Sequence, residues 1–203
     1  LERGDPVRAS SAFERGLAIA DQARLPPTHE NRSLAYIGLA RAALAENHRA
    51  DAQKYAARAL AMGSARADLG QVVASLQVMA RGFSDDKVPD KAMSVLRTAA
   101  GLIEQVPIDD LDAEQRATWL ATQHSVFAEL TTLFATGAGN DQARGWEAFE
   151  VSERGRARSL RYALNQATDM RSTSSGEPMS ARYHELMKQV AALVPPARDP
   201  YIL

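Results

Sequence analysis

Four histidines, two aspartate pairs, one glycine-rich stretch and a band of arginines are the residues of this chain whose types could do chemistry. His29, His48, His124 and His184 fall in separate segments, with no His-Glu-x-x-His arrangement and no His-x-x-Glu partner. No helix face therefore carries two ligands for one metal ion. The stretch Gly-Ala-Gly at 137–139 follows no strand pattern and precedes no Lys-Ser/Thr, so it reads as an inter-helix turn and not as a phosphate loop. Asp85 with Asp86, and Asp109 with Asp110, have the composition of acid/base pairs, but prolines and helix starts flank them and they read as caps and dipole partners. The chain has no cysteine, which removes disulfides, thiolate metal sites and a cysteine nucleophile from consideration. No catalytic residue, metal ligand or cofactor is assigned, and the expectation is a chain that is not itself an enzyme.

Arg154, Arg158 and Arg161, with Arg144 nearby, form the most basic stretch and could meet phosphate. Glu147 and Glu150 offset them, Glu150 standing four residues before Arg154 in the favourable order, so the band reads as a solvated face. The formal net charge of -1 supplies no field for nucleic acid or an anionic membrane, and neither is expected as a partner. No apolar run approaches the ~18 residues of a membrane span. No signal-peptide pattern opens the chain, and a cytoplasmic location is expected. The start "LERGDPVRAS" has no Met and reads as a segment of a longer protein. Basic residues are mostly Arg, which hints at a GC-rich bacterial genome.

Helical periodicity runs through the whole chain and two-residue alternation is absent, so the fold class is all-α. Alanine is over-represented and aromatics make up only 6%, a composition that favours closely packed helices. Punctuation falls at 24–31, 61–65, 84–90, 106–112, 136–141, 171–178 and 194–200, each with Pro, Gly or capping residues. Thr28, Ser64 and Asp112 are the expected helix N-caps.

Internal repetition refines the fold class. Tyr36, Leu39, Ala40 and Ala43, a turn at Asn47 and His48, and then Ala52, Ala56, Ala59 and Leu60 follow the spacing of a tetratricopeptide (TPR) helical hairpin. Small residues at Ala40 and Ala52 let two antiparallel helices approach while bulkier ones fill the holes. The spacing recurs as Leu76, Met79, Ala80 and Phe83 followed by Ala92, Leu96, Ala99 and Ala100. A weaker copy reads Phe127, Leu130, Thr131 and Phe134, then Ala148, Ser152 and Gly155; Ala9, Phe13, Gly16 and Leu17 supply only a second helix at the front. The period is about 40 residues against the usual ~34. The expected architecture is a TPR-like right-handed superhelix of about eight or nine helices, with a long final helix and a C-terminal connecting helix. Its plain alternative is a generic antiparallel helical bundle.

A TPR array offers its concave face, lined by the first helix of each hairpin, to partners. The alignment places Leu34, Ile37, Arg41 and Leu44 there from one repeat, and Ala74, Gln77, Arg81 and Asp85 from the next. Arg41 and Arg81 occupy the same repeat position, and two guanidinium groups in register suit an acidic segment of a protein or peptide partner. The alternative is that both arginines extend to water or pair with neighbouring glutamates.

The stretch "EAFEVSERGRARSLRYAL" at 147–164 is helical throughout, with Phe149, Leu160, Ala163, Leu164 and Ala167 on one face. Glu153 and Arg156 fall inside that apolar arc, so an ion pair between them, buried where the helix docks on the preceding repeat, is one expectation; long side chains reaching to the surface are the other. Glu147, Ala148, Phe149, Glu153, Arg154, Arg156, Ala157, Arg158 and Leu160 together resemble the motif E-A-F-x-x-x-E-R-x-R-A-R-x-L that closes the TPR array in bacterial CHAT proteins, which carry a caspase- and separase-like cysteine peptidase domain.

That resemblance implies a TPR-like array over 1–170 with a truncated first repeat, a loop at 171–180, and a connecting helix and linker at 181–203 leading to a downstream domain. It implies a scaffold that binds a partner or restrains its enzyme, with any catalytic His and Cys beyond Leu203. The alternatives are the TPR sensor region of a bacterial transcription regulator, a stand-alone TPR adaptor, and a free-standing enzyme with a helical active site.

Overall fold

A computed structural model describes residues 5–85, 87–106, 113–138 and 141–169. Seven α-helices run through them, and no strand occurs among the described residues: α1 Pro6–Gln22, α2 Glu30–Ala45, α3 Arg49–Ala65, α4 Leu69–Asp85, α5 Pro89–Glu104, α6 Ala113–Ala138 and α7 Gln142–Asp169. The chain is all-α, with fewer helices in the described residues than the eight or nine expected. Asp86, Asp109, Asp110, the Asp112 cap, the loop at 171–180, the segment at 181–203 and His184 lie outside the described residues.

The helices start where short polar side chains satisfy free N–H groups. Asp5 accepts from the amides of Val7 and Arg8 ahead of Pro6, and Asp141 accepts from Ala143 and Arg144. Asp68 accepts from the Gln71 amide at 3.0 Å, capping α4. The expected cap at Thr28 sits one residue too early. The N-cap of α2 is His29, whose Nδ1 accepts from the Asn31 amide at 3.2 Å.

The helices stop by one device used four times. Arg24, Asn47, Ala67 and Lys87 have φ between 51° and 63°, each just past a helix end. After each, the next amide (Leu25, His48, Asp68, Val88) donates back to the carbonyl of Ala20, Ala43, Gly63 or Phe83 at 2.7–2.9 Å. This is the Schellman arrangement, which satisfies the last free carbonyls of a helix with backbone alone. Three of the connectors are only three residues long: 46–48, 66–68 and 86–88.

Ser64 is no cap, because α3 runs straight through the stretch "AMGSA". Gly63 is buried, and a Cβ there would lie 3.3 Å from Gln71 Cβ, Val72 Cγ2 and the Val72 nitrogen. The glycine lets α3 approach the first turn of α4, and the turn comes later, at Ala67. Gly38 acts in the same way on α2, where the ring of Phe13 from α1 occupies the space a side chain would need.

Burial repeats with the turns. Asn47 and Lys87 lie 40 residues apart. At the same spacing, Ala40 and Ala80, Ala52 and Ala92, Ala56 and Leu96, Ala59 and Ala99, and Leu60 and Ala100 are all buried. Burial thus recurs at a spacing of forty residues, with mostly small residues at these positions.

Among the described residues the chain divides into two compact units, one ending at Val95 and the other beginning at Leu96. In the first unit α2 packs against α1, α3 and α4, and α3 against α4. Ala40, Ala56 and Val78 form a core cluster with Leu44, Tyr55 and Met79 around it. Polar groups tie the layers: Ser33 Oγ donates to the Ala59 carbonyl at 3.4 Å, and Gln53 Nε2 to the Met79 carbonyl at 3.0 Å. Arg32 reaches across to α1 and the following loop, bonding Asp21 at 2.6 Å and the Leu25 carbonyl at 3.1 Å.

In the second unit α6 buries a stripe of Trp119, Gln123, Val126, Phe127, Leu130 and Phe134, and α7 lies along it. Gly155 of α7 faces Phe127, with room for a Cβ only 3.2 Å from the Phe127 Cβ.

Candidate interaction surface

Within the first unit, the face expected to meet a partner is formed by α2 and α4, which pack side by side. Leu34, Arg41, Arg81 and Asp85 are exposed on it, and Leu44 is half-buried. Ile37 and Gln77 are not offered to a partner, being only 5% and 7% exposed. Both stand at the same repeat position, and that position belongs to the core. Arg41 and Arg81 remain the exposed pair in register, one repeat apart on neighbouring helices.

Within the second unit, a cavity of about 360 Å³ is lined by Arg97, Phe127, Phe134, Glu147, Val151 and Arg154, among others. Arg97 Nη2 bonds Glu147 at 2.9 Å, and its guanidinium carbon lies 4.8 Å from the centre of the Phe134 ring. Arg154 closes a two-pronged bond to Glu104, Nε at 2.9 Å and Nη2 at 2.6 Å. Arg97 and Arg154 thus each have a carboxylate against them, and these pairs act as ties between α5 and α7, while Glu150 also lines the wall. The pairs sit seven residues apart on both helices, which makes α5 and α7 parallel there. Arg154 is accordingly one end of an interhelical tie, while the side chains of Arg158 and Arg161 lie outside the described residues.

The three described histidines do not converge. His29 caps α2, His48 Nδ1 stands 3.4 Å from Glu46, and His124 is exposed on α6. Among the described residues no three His, Asp or Glu side chains come together as a metal set. No helix of the described residues is long and apolar enough to cross a membrane.

The ion pair between Glu153 and Arg156 forms, at 2.7 Å, but in water: the side chains are 46% and 74% exposed. The face that carries it is the outer face of α7. Phe149 is 54% exposed, Leu160 62%, and Trp146, which extends the same face by one turn, 59%. The buried side of α7 carries Ala148, Val151 and the close-packed Gly155. The helix therefore docks by its small residues and turns its large apolar ones outward. Trp146 and Phe149 meet edge to face, with ring centres 5.8 Å apart.

Compared with protein-family models, with curated proteins and with solved structures, the chain finds no match.

Proposed function

We propose that this chain is a non-catalytic interaction module of the TPR type, binding a protein or peptide segment along the α2–α4 face. The single observation that carries this reading is the pairing of Arg41 and Arg81, exposed at one repeat position of two adjacent helices. Arginines in register present planar donors to carboxylates along an extended chain. An acidic segment is the partner this suits. The forty-residue hairpin period, the small-residue contacts and the backbone-capped turns support the TPR reading, in which successive hairpins build a right-handed superhelix. The motif at Glu147–Leu160 supports a place in a CHAT-type protein, where such an array would restrain or recruit a cysteine peptidase domain in the cytoplasm.

The test is a random-peptide display library panned against the chain and against the Arg41→Glu/Arg81→Glu variant. Peptides enriched in Asp and Glu that bind the first and not the second are the expected result. Recovery of the same peptides by both would remove the α2–α4 face as the site.

A further inference from the structure

The outer face of α7 is an apolar stripe with a charged centre, and its order is self-complementary. Trp146, Phe149, Glu153, Arg156 and Leu160 follow one another at alternating spacings of three and four residues, the a/d pattern of a helix that pairs with another helix. All five lie within about 80° around the helix at 100° per residue. This arc is opposite the buried Ala148 and Val151 and the close-packed Gly155, and Trp146, Phe149 and Leu160 on it are exposed, so among the described residues of the second unit nothing covers it. Scattered single hydrophobics on a surface are ordinary, but three large ones in line, two of them aromatic, mark an interface.

We propose that the occupant of this stripe is the α7 helix of a second copy of the chain, crossed antiparallel. A two-fold axis passing between residues 154 and 155 sets Phe149 against Leu160 of the copy and Leu160 against Phe149. The same axis sets Glu153 against Arg156 of the copy and Arg156 against Glu153. Aliphatic meets aromatic at the flanks and opposite charges meet at the centre, twice over, as an isologous interface requires. A parallel arrangement would face glutamate with glutamate and arginine with arginine, which disfavours it. The 12 residues from Phe149 to Leu160 span roughly 17 Å of helix. A contact of that length is at the small end of specific interfaces. The association is therefore weak and concentration-dependent.

The charge pattern provides a test that only a second copy can pass. The molar mass of the full chain is measured by sedimentation equilibrium from low micromolar to several hundred micromolar, for wild type, Glu153→Arg, Arg156→Glu and an equimolar mixture of the two variants. Circular dichroism checks that helix content is unchanged. The wild type should move from one chain to two as concentration rises. Each variant alone brings four like charges to the centre and should stay at the mass of one chain. The mixture brings two arginine guanidiniums of one chain against two carboxylates of the other and should recover two chains.

As a second readout, Glu153→Cys and Arg156→Cys, introduced separately into a chain with no cysteine of its own, should oxidise to a mixed disulfide dimer faster than either forms its own. A wild type that stays at one chain throughout, or a mixture no heavier than its components, would overturn the proposal and assign the stripe to another segment or another protein. The α2–α4 face and its two arginines play no part in this contact, so either idea can fail alone.

Discussion

Arg154 holds Glu104 through both Nε and Nη2, two helical turns beyond the place where Arg97 holds Glu147. The order of charge is reversed between the two pairs: α5 supplies the cation first and the anion second, and α7 the opposite. A slip of α7 by two turns in either direction brings like charges together, so the pairs fix register as well as direction.

The first prediction follows from that reversal. Arg154→Glu places two carboxylates together and should lower the stability of the chain by about 1 kcal/mol at low ionic strength, near the upper end of what a partly exposed pair contributes. The double exchange Arg154→Glu/Glu104→Arg should recover most of it, and added salt should shrink the difference between them. Urea denaturation at two salt concentrations reads both effects.

At the end of α3, Ala67 adopts φ 56°, a conformation that costs an L-residue roughly 1–2 kcal/mol. Ala67→Gly removes that strain and adds some freedom to the unfolded chain. We expect a net gain of about 0.5–1 kcal/mol and a higher Tm. The same change at Asn47 should bring less, because asparagine already tolerates this region. An Ala67→Gly chain that melts no higher than wild type would count against the turn described above.

Gly63 is the counterpart of Ala67, a glycine whose role lies in contact and not in conformation. Gly63→Val should force α3 away from the first turn of α4 and cost about 1–3 kcal/mol. Gly101, where a Cβ meets nothing within 4 Å, is the control. Gly101→Ala should be stabilising by about 0.5–1 kcal/mol, since it replaces glycine inside a helix. Thermal melts of the two variants should therefore shift in opposite directions.

Arg32 is mostly buried and serves Asp21 and the Leu25 carbonyl at once. Arg32→Met keeps much of the side-chain packing and removes both bonds. It should cost about 1–3 kcal/mol and act locally. Amide hydrogen exchange should quicken in α1 and in the loop before α2, with α3 and α4 unchanged. Uniform loss of protection along the chain would mean that Arg32 supports the whole unit.

The helices and their pairing were legible in the sequence because alanine spacing reports close contacts directly. Ala40, Ala52, Ala56 and Ala59 are buried where the repeat pattern put them. The turns were legible at Asn47 but not at Ala67, since a backbone-only cap leaves no side-chain signature and Gly63 drew attention to the wrong place. Side-chain size also decided the orientation of α7. A reading by hydrophobicity puts Phe149 and Leu160 inside and asks why Glu153 and Arg156 are buried with them. A reading by size puts Ala148 and Gly155 inside, where α7 lies close on α6, and the charges are then in water. The small-residue spacing that named Ala148 and Gly155 was already present in the chain, in competition with the louder apolar arc. Ile37 and Gln77 are buried although they stand one turn before Arg41 and Arg81 on the same side of their helices, so repeat position alone did not tell an exposed site from a core one.

The four Schellman turns make the chain editable. Nothing in them depends on a particular side chain, and two of them stand forty residues apart with the same backbone shape. Excising 48–87 would join Asn47 to Val88, so that α2 runs on into α5 through a connector of unchanged form. Ala92, Leu96 and Ala99 would then follow that turn at the same distances along the chain at which Ala52, Ala56 and Ala59 follow it now.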